Sequence, residues 1–73
     1  MKNQATNDVG ISRRIRQARL KMRFSAVYVS KQMNLSHSIC SQWENNKANP
    51  STAHLVKLAK ILNVSFEWLA LGS

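Results

Sequence analysis

The sequence predicts an all-α fold of five short helices. Apolar residues recur at spacings of three and four in each segment, and no segment alternates as a half-buried strand does. Serine precedes, and asparagine or glycine follows, most of the apolar clusters, where helices start and stop. A chain of 73 residues that is 44% hydrophobic can build one small core, so the division is a flexible arm over residues 1–9 and one globular domain over 10–73. There is no internal repeat and no low-complexity tract.

The first helix starts near Gly10, with Ile11, Ile15, Ala18 and Met22 as its inward stripe. Ser25 caps the second by accepting from the unbonded N–H groups of its first turn; it spans about 26–33 and buries Val29 and Met33. Asn34 tolerates the left-handed backbone of a helix end, Leu35 plugs the turn, and Ser36 caps a third helix that reaches about residue 45. There Ile39, Cys40 and Trp43 are the apolar residues. Asn45 through Pro50 break the pattern. A fourth helix after Ser51 turns Leu55, Leu58, Ala59 and Leu62 inward and stops at Asn63. Ser65 caps a short fifth, which buries Phe66 and Leu69 and closes at Gly72.

Charge narrows the partners. Eleven Lys and Arg against three acids give a formal charge of +8 and favour polyanions. Arg13, Arg14, Arg16, Arg19, Lys21 and Arg23 are clustered on or just after the first helix. Such a run is compatible with nucleic acid, an anionic membrane surface, an acidic protein or a plain solvated face. The opening MKNQATND lacks the apolar core of a secretory leader, and no run approaches the roughly 20 apolar residues of a membrane span. One cysteine makes no internal disulfide, which points to a soluble cytoplasmic protein.

The two short helices joined by Asn34, Leu35 and Ser36 make a helix-turn-helix pattern. Between them, IRQAR, FS, NLSHSICSQWENNK, NPS and LVKLAKILNVSFEWL carry a resemblance from Ile11 to Leu71. The chain resembles the lambda-repressor-like, Cro-type (XRE-like) helix-turn-helix proteins. WENNKANPS is the most specific part, being similar to the family's Ile/Trp-Glu-Asn-Gly-Lys followed by Asn-Pro-Ser.

The resemblance implies a five-helix DNA-binding domain whose third helix enters the major groove of a double-stranded operator. It explains the polar residues left on that helix once Cys40 and Trp43 face inward. His37, Ser38, Ser41 and Gln42 are the candidate base readers, with Gln42 foremost because its amide can pair bidentately with adenine. Arg13, Arg14, Lys31, Asn45, Asn46 and Lys47 are the candidate phosphate contacts, the last three matching the family's phosphate-gripping turn. Asn46 stands where the family often has Gly, and Ala26 where it commonly has a phosphate-binding Gln. Glu44 and Arg19 match a structural ion pair. The family also pairs through its carboxy-terminal end, where Val56, Ile61, Trp68 and Leu71 fit the monomer core less well, with Trp68 expected to look outward.

The implied function is transcriptional regulation without catalysis or cofactor, by a phage- or plasmid-type repressor that occludes a promoter as a homodimer and works in the cytoplasm at the nucleoid. An autoregulating antitoxin uses the same fold, and its toxin, or an inducer, would be a further partner. A basic amphipathic module for membranes or proteins rests on the first helix alone. A thiol enzyme built on His37 and Cys40 lacks an orienting third group, and a metal site from His37, Cys40 and His54 lacks ligand spacing.

Overall fold

Five helices form in the expected order. The computed structural model describes the backbone of residues 3–72 and the side chains of 10–72. These residues fold into α1 (Asn3–Lys21), α2 (Ala26–Gln32), α3 (Ile39–Glu44), α4 (Thr52–Leu62) and α5 (Phe66–Leu71), with no strand among them. None of these helices is long and apolar enough to cross a membrane.

α1 starts at Asn3 rather than near Gly10, so the backbone is helical over 3–9, where an arm is expected. Residues 1, 2 and 73 lie outside the described residues. The apolar stripe from Ile11 marks where α1 meets the core, and a helix nucleated there extends upstream at little further cost per residue.

Every helix contributes to one core: Ile15 and Ala18 from α1, Val29 from α2 with Met33 at its end, Cys40 and Trp43 from α3, four residues of α4, and Leu69 from α5. Met22 departs from the expected stripe and is 36% exposed. It lies past the end of α1, at the rim of a groove beside Leu62 and Val64.

Three serines cap as expected. The Oγ of Ser25 accepts from Tyr28 N–H, that of Ser51 from His54 N–H, and that of Ser65 from Trp68 N–H, at 3.0, 3.1 and 3.0 Å. At their other ends, the first four helices are each followed by a residue with positive φ: Arg23, Asn34, Asn46 and Asn63. The Asn34 turn closes with Leu35 N–H donating to Ser30 O at 3.2 Å and Asn34 N–H to Lys31 O at 2.9 Å, which satisfies carbonyls the helix leaves unbonded.

α3 begins differently from expectation. Ser36 supplies its backbone carbonyl, which accepts from Ile39 N–H at 3.1 Å, and the helix starts only at Ile39. Its cap comes from another helix. The Oγ of buried Ser30, on α2, accepts from Cys40 N–H at 3.0 Å and donates to Ala26 O at 2.9 Å. One hydroxyl therefore fixes α3 against α2 and leaves no buried donor unsatisfied there.

Beneath this contact the fully buried Cys40 thiol donates to Glu44 Oε2 at 3.3 Å. Burial, and then the hydrogen bond to Glu44, push its pKa up to about 12, so the thiolate is absent near neutrality. Since the charged form is disfavoured in the fold, the stabilising contribution is complete below the unfolded thiol's pKa and is lost as pH rises toward 12.

Two outcomes are expected. Ser30→Ala should lower stability by about 1–3 kcal/mol in urea denaturation, because Cys40 N–H is left buried without an acceptor. Iodoacetamide at pH 8 should leave Cys40 unmodified in the folded protein and alkylate it once urea unfolds the chain, as read by mass spectrometry.

Candidate nucleic-acid interface

With Cys40 and Trp43 packed inward, α3 and the turn before it carry a polar outer surface. His37, Ser38 and Ser41 are exposed, Gln42 is half-buried, and Asn45 is exposed one turn beyond Ser41. Hydrogen bonds between successive turns order this surface. Gln42 Nε2 donates to Ser38 Oγ at 2.9 Å, and Asn45 Nδ2 donates to Ser41 O at 2.8 Å. The first bond restrains the long Gln42 side chain while its amide oxygen keeps acceptor capacity for an incoming donor.

The orientation of α3 is set from α1. Arg19 Nε donates to Glu44 Oε2 at 2.6 Å and Arg19 Nη2 to Glu44 Oε1 at 2.9 Å, a bidentate pair. Its third nitrogen, Nη1, donates to Phe24 O at 2.8 Å, just ahead of α2. Arg19 is buried and the Glu44 side chain is only 4% exposed. The hydrogen bond to Glu44 raises the Arg19 pKa above its ordinary value, outweighing the opposite effect of burial. This is the expected ion pair, and Arg19 ties it also to the segment that leads into α2.

Beyond α3, Asn46 adopts φ 58°, the left-handed conformation for which the usual residue is Gly. Lys47 N–H donates to Gln42 O at 2.8 Å, closing the turn so that Asn45, Asn46 and Lys47 are all exposed. Arg13 and Lys31 are exposed as well. Arg14 is placed elsewhere. Its Nε donates to Leu69 O at 3.0 Å and its Nη2 to Ala70 O at 3.4 Å, so its guanidinium caps the last turn of α5. The carbonyl end of a helix attracts a cation, and Arg14, expected at a phosphate, is engaged here by the end of α5.

The groups suspected of other chemistry differ in their surroundings. Cys40 is buried, His37 is exposed, and the His54 ring lies 5.4 Å from that of Trp43, a core residue 2% exposed. No group of three metal-ligating side chains occurs among the described residues. At the carboxy-terminal end, Val56 is 42% and Leu71 72% exposed, while Ile61 and Trp68 are half-buried. Trp68 does not project wholly outward as expected: with Gln17, Ala18, Lys21 and Val64 it lines a groove of about 320 Å³ against α1.

Two positioning groups escape the sequence reading. Ser30 does so although it falls with Ala26, Val29 and Met33 on one helical stripe, a spacing that signals an inward serine. The Phe24 carbonyl leaves no such signal, because a backbone acceptor is not encoded by residue type.

Comparison with known proteins agrees with this architecture. The helix-turn-helix family model matches residues 15–69. The HTH-type transcriptional regulator DicA of Escherichia coli K12 is 31% identical over 67 residues, covering 92% of this chain and 50% of DicA. An uncharacterized HTH-type transcriptional regulator of Haemophilus influenzae is 46% identical over 35 residues, which cover 48% of this chain and 15% of that protein. The chain thus spans half or less of the length of these relatives. Among solved structures, the P22 c2 repressor in complex with a synthetic operator superposes with a TM-score of 0.78 at 30% identity, covering 86% of this chain and 96% of that one. A hypothetical transcription factor, NHTF from Neisseria, shares the fold, with a TM-score of 0.85 at 20% identity over 97% of this chain and 82% of that one. The five helices, the turn between α2 and α3 and these matches together place the chain in the helix-turn-helix family, in its lambda-repressor-like (XRE-type) branch.

Proposed function

We propose that the chain reads double-stranded DNA sequence-specifically and regulates transcription, as a repressor that occludes a promoter by binding a two-fold related operator as a homodimer. The observation that carries this reading is the polar surface of His37, Ser38, Ser41 and Gln42 on α3 and the turn before it, with α3 pinned from behind by Arg19–Glu44 and Ser30. Short polar side chains let a helix axis approach the groove floor, and the Gln42 amide offers both a donor and an acceptor to a base edge. The P22 c2 repressor, similar to this chain over most of its length, is itself seen with an operator.

Around this surface, Arg13, Lys31, Asn45, Asn46 and Lys47 supply the phosphate contacts, and Arg14 serves the fold instead. The formal charge of +8 suits that partner and speeds its capture. No catalytic step, metal or cofactor enters the mechanism, since sequence reading and steric occlusion need only binding. The protein acts in the cytoplasm, at the nucleoid. Self-association uses the α4–α5 end, with Leu71, 72% exposed, as its most prominent apolar group and Val56, Ile61 and Trp68 as the further candidates.

An operator selected from a random duplex pool provides the test. On it, Gln42→Ala should cost about 1–3 kcal/mol and relax preference at one base pair. Lys47→Ala should instead weaken cognate and random duplexes alike and flatten the salt dependence by about 0.9 in log–log slope. Equal loss on both duplexes for Gln42→Ala would refute the assigned reading surface. For the dimer, Leu71→Lys should stay folded by circular dichroism yet dimerise at least about tenfold more weakly in sedimentation, because an exposed anchor contributes to association and not to the monomer core. Unchanged dimerisation moves the interface elsewhere.

A further inference from the structure

Glu44 is approached by a second guanidinium. Arg16 Nη1 stands 3.8 Å from Glu44 Oε1, an oxygen that already accepts from Arg19 Nη2 at 2.9 Å. The Arg16 side chain is 61% exposed, against 10% for Arg19. At that separation Arg16 feels the carboxylate without a hydrogen bond to it, and none of its nitrogens is hydrogen-bonded among the described residues.

We propose that Arg16 is a DNA-backbone contact, poised by Glu44 and released to a phosphate when the duplex docks. The inference rests on the DNA-binding reading and adds a residue to it. Charge supplies the first reason: two guanidinium groups face one carboxylate, so the cluster keeps one positive charge, and the exposed partner is the one able to carry it to a ligand. Position supplies the second. Glu44, which Arg16 approaches, is the last residue of α3 and leads directly into the exposed Asn45–Lys47 turn, the segment expected to grip the backbone. A phosphate there meets the carbonyl end of α3, which repels an anion, and Arg16 offsets that repulsion. The third reason is cost. An exposed pair longer than a hydrogen bond is weak, so Arg16 gives up little by leaving, whereas the bidentate Arg19 pair stays and keeps α3 in place. A guanidinium also matches two phosphate oxygens at once, which the Lys47 ammonium cannot.

Fluorescence anisotropy on the selected operator and on a random duplex, across a salt series, tests the assignment. Arg16→Gln should bind both duplexes about fivefold to tenfold more weakly near 0.1 M salt, with the log–log slope reduced by about 0.9. Arg16→Lys should keep the wild-type slope, because it keeps the charge. Circular dichroism verifies that each variant is folded. A merely structural role for Arg16 predicts weaker binding at unchanged slope, and that result, or wild-type affinity in Arg16→Gln, overturns the inference while the DNA reading stands. A wild-type protein with no salt-dependent duplex binding overturns the DNA reading and the Arg16 contact with it.

Discussion

The buried bidentate pair of Arg19 and Glu44 is the constraint on which the rest of the arrangement depends. α3 is six residues long and keeps only Cys40 and Trp43 fully in the core, too small a contact to fix its rotation and tilt by packing alone. The planar guanidinium imposes direction as well as distance. It holds Glu44 through two parallel bonds and the segment just ahead of α2 through the Phe24 carbonyl, so the helix-turn-helix is tied at one point to α1. Taking two charges out of water consumes most of their mutual attraction, so the pair's value lies in orientation more than in net stability.

Ser30 supplies the complementary constraint at the opposite end of the same helix. Arg19 holds the carboxyl end of α3 through Glu44, and the Ser30 hydroxyl holds its amino end through Cys40 N–H. Two fixed points determine a short rod. The outward residues between them then have a defined presentation before any partner arrives, which reduces the ordering cost of binding.

Charge on this small domain is partitioned by burial. The cationic side chains of α1 divide among three tasks: Arg19 orients α3, Arg14 caps the carbonyl end of α5, and Arg13, Arg16 and Lys21 remain accessible at the surface. Arg14 lies close enough to Gly10 and Gly72 that a Cβ at either position would stand 2.8 or 3.0 Å from its Nη1, so the absence of a side chain there leaves room for the latch. A count of basic residues therefore overstates the charge available to a polyanion. Tertiary contact decides which of them are spent internally.

Local chemistry made much of this protein legible from sequence. Apolar spacing located five helices, Ser25, Ser51 and Ser65 marked three starts, and Asn34 and Asn63 marked two ends, because helix periodicity, capping and left-handed backbone act within a few residues of one another. The same locality set which side of α3 is polar and, through WENNKANPS, its resemblance to a helix-turn-helix family. Groups that meet only across the fold were decided by tertiary structure. Arg14 and Leu69 are 55 residues apart, and Trp68 borders one groove with α1 residues from the far end of the chain. Periodicity shows that a side chain leaves the core. Only the packed helices determine whether it then finds another part of the same molecule or remains available to a partner.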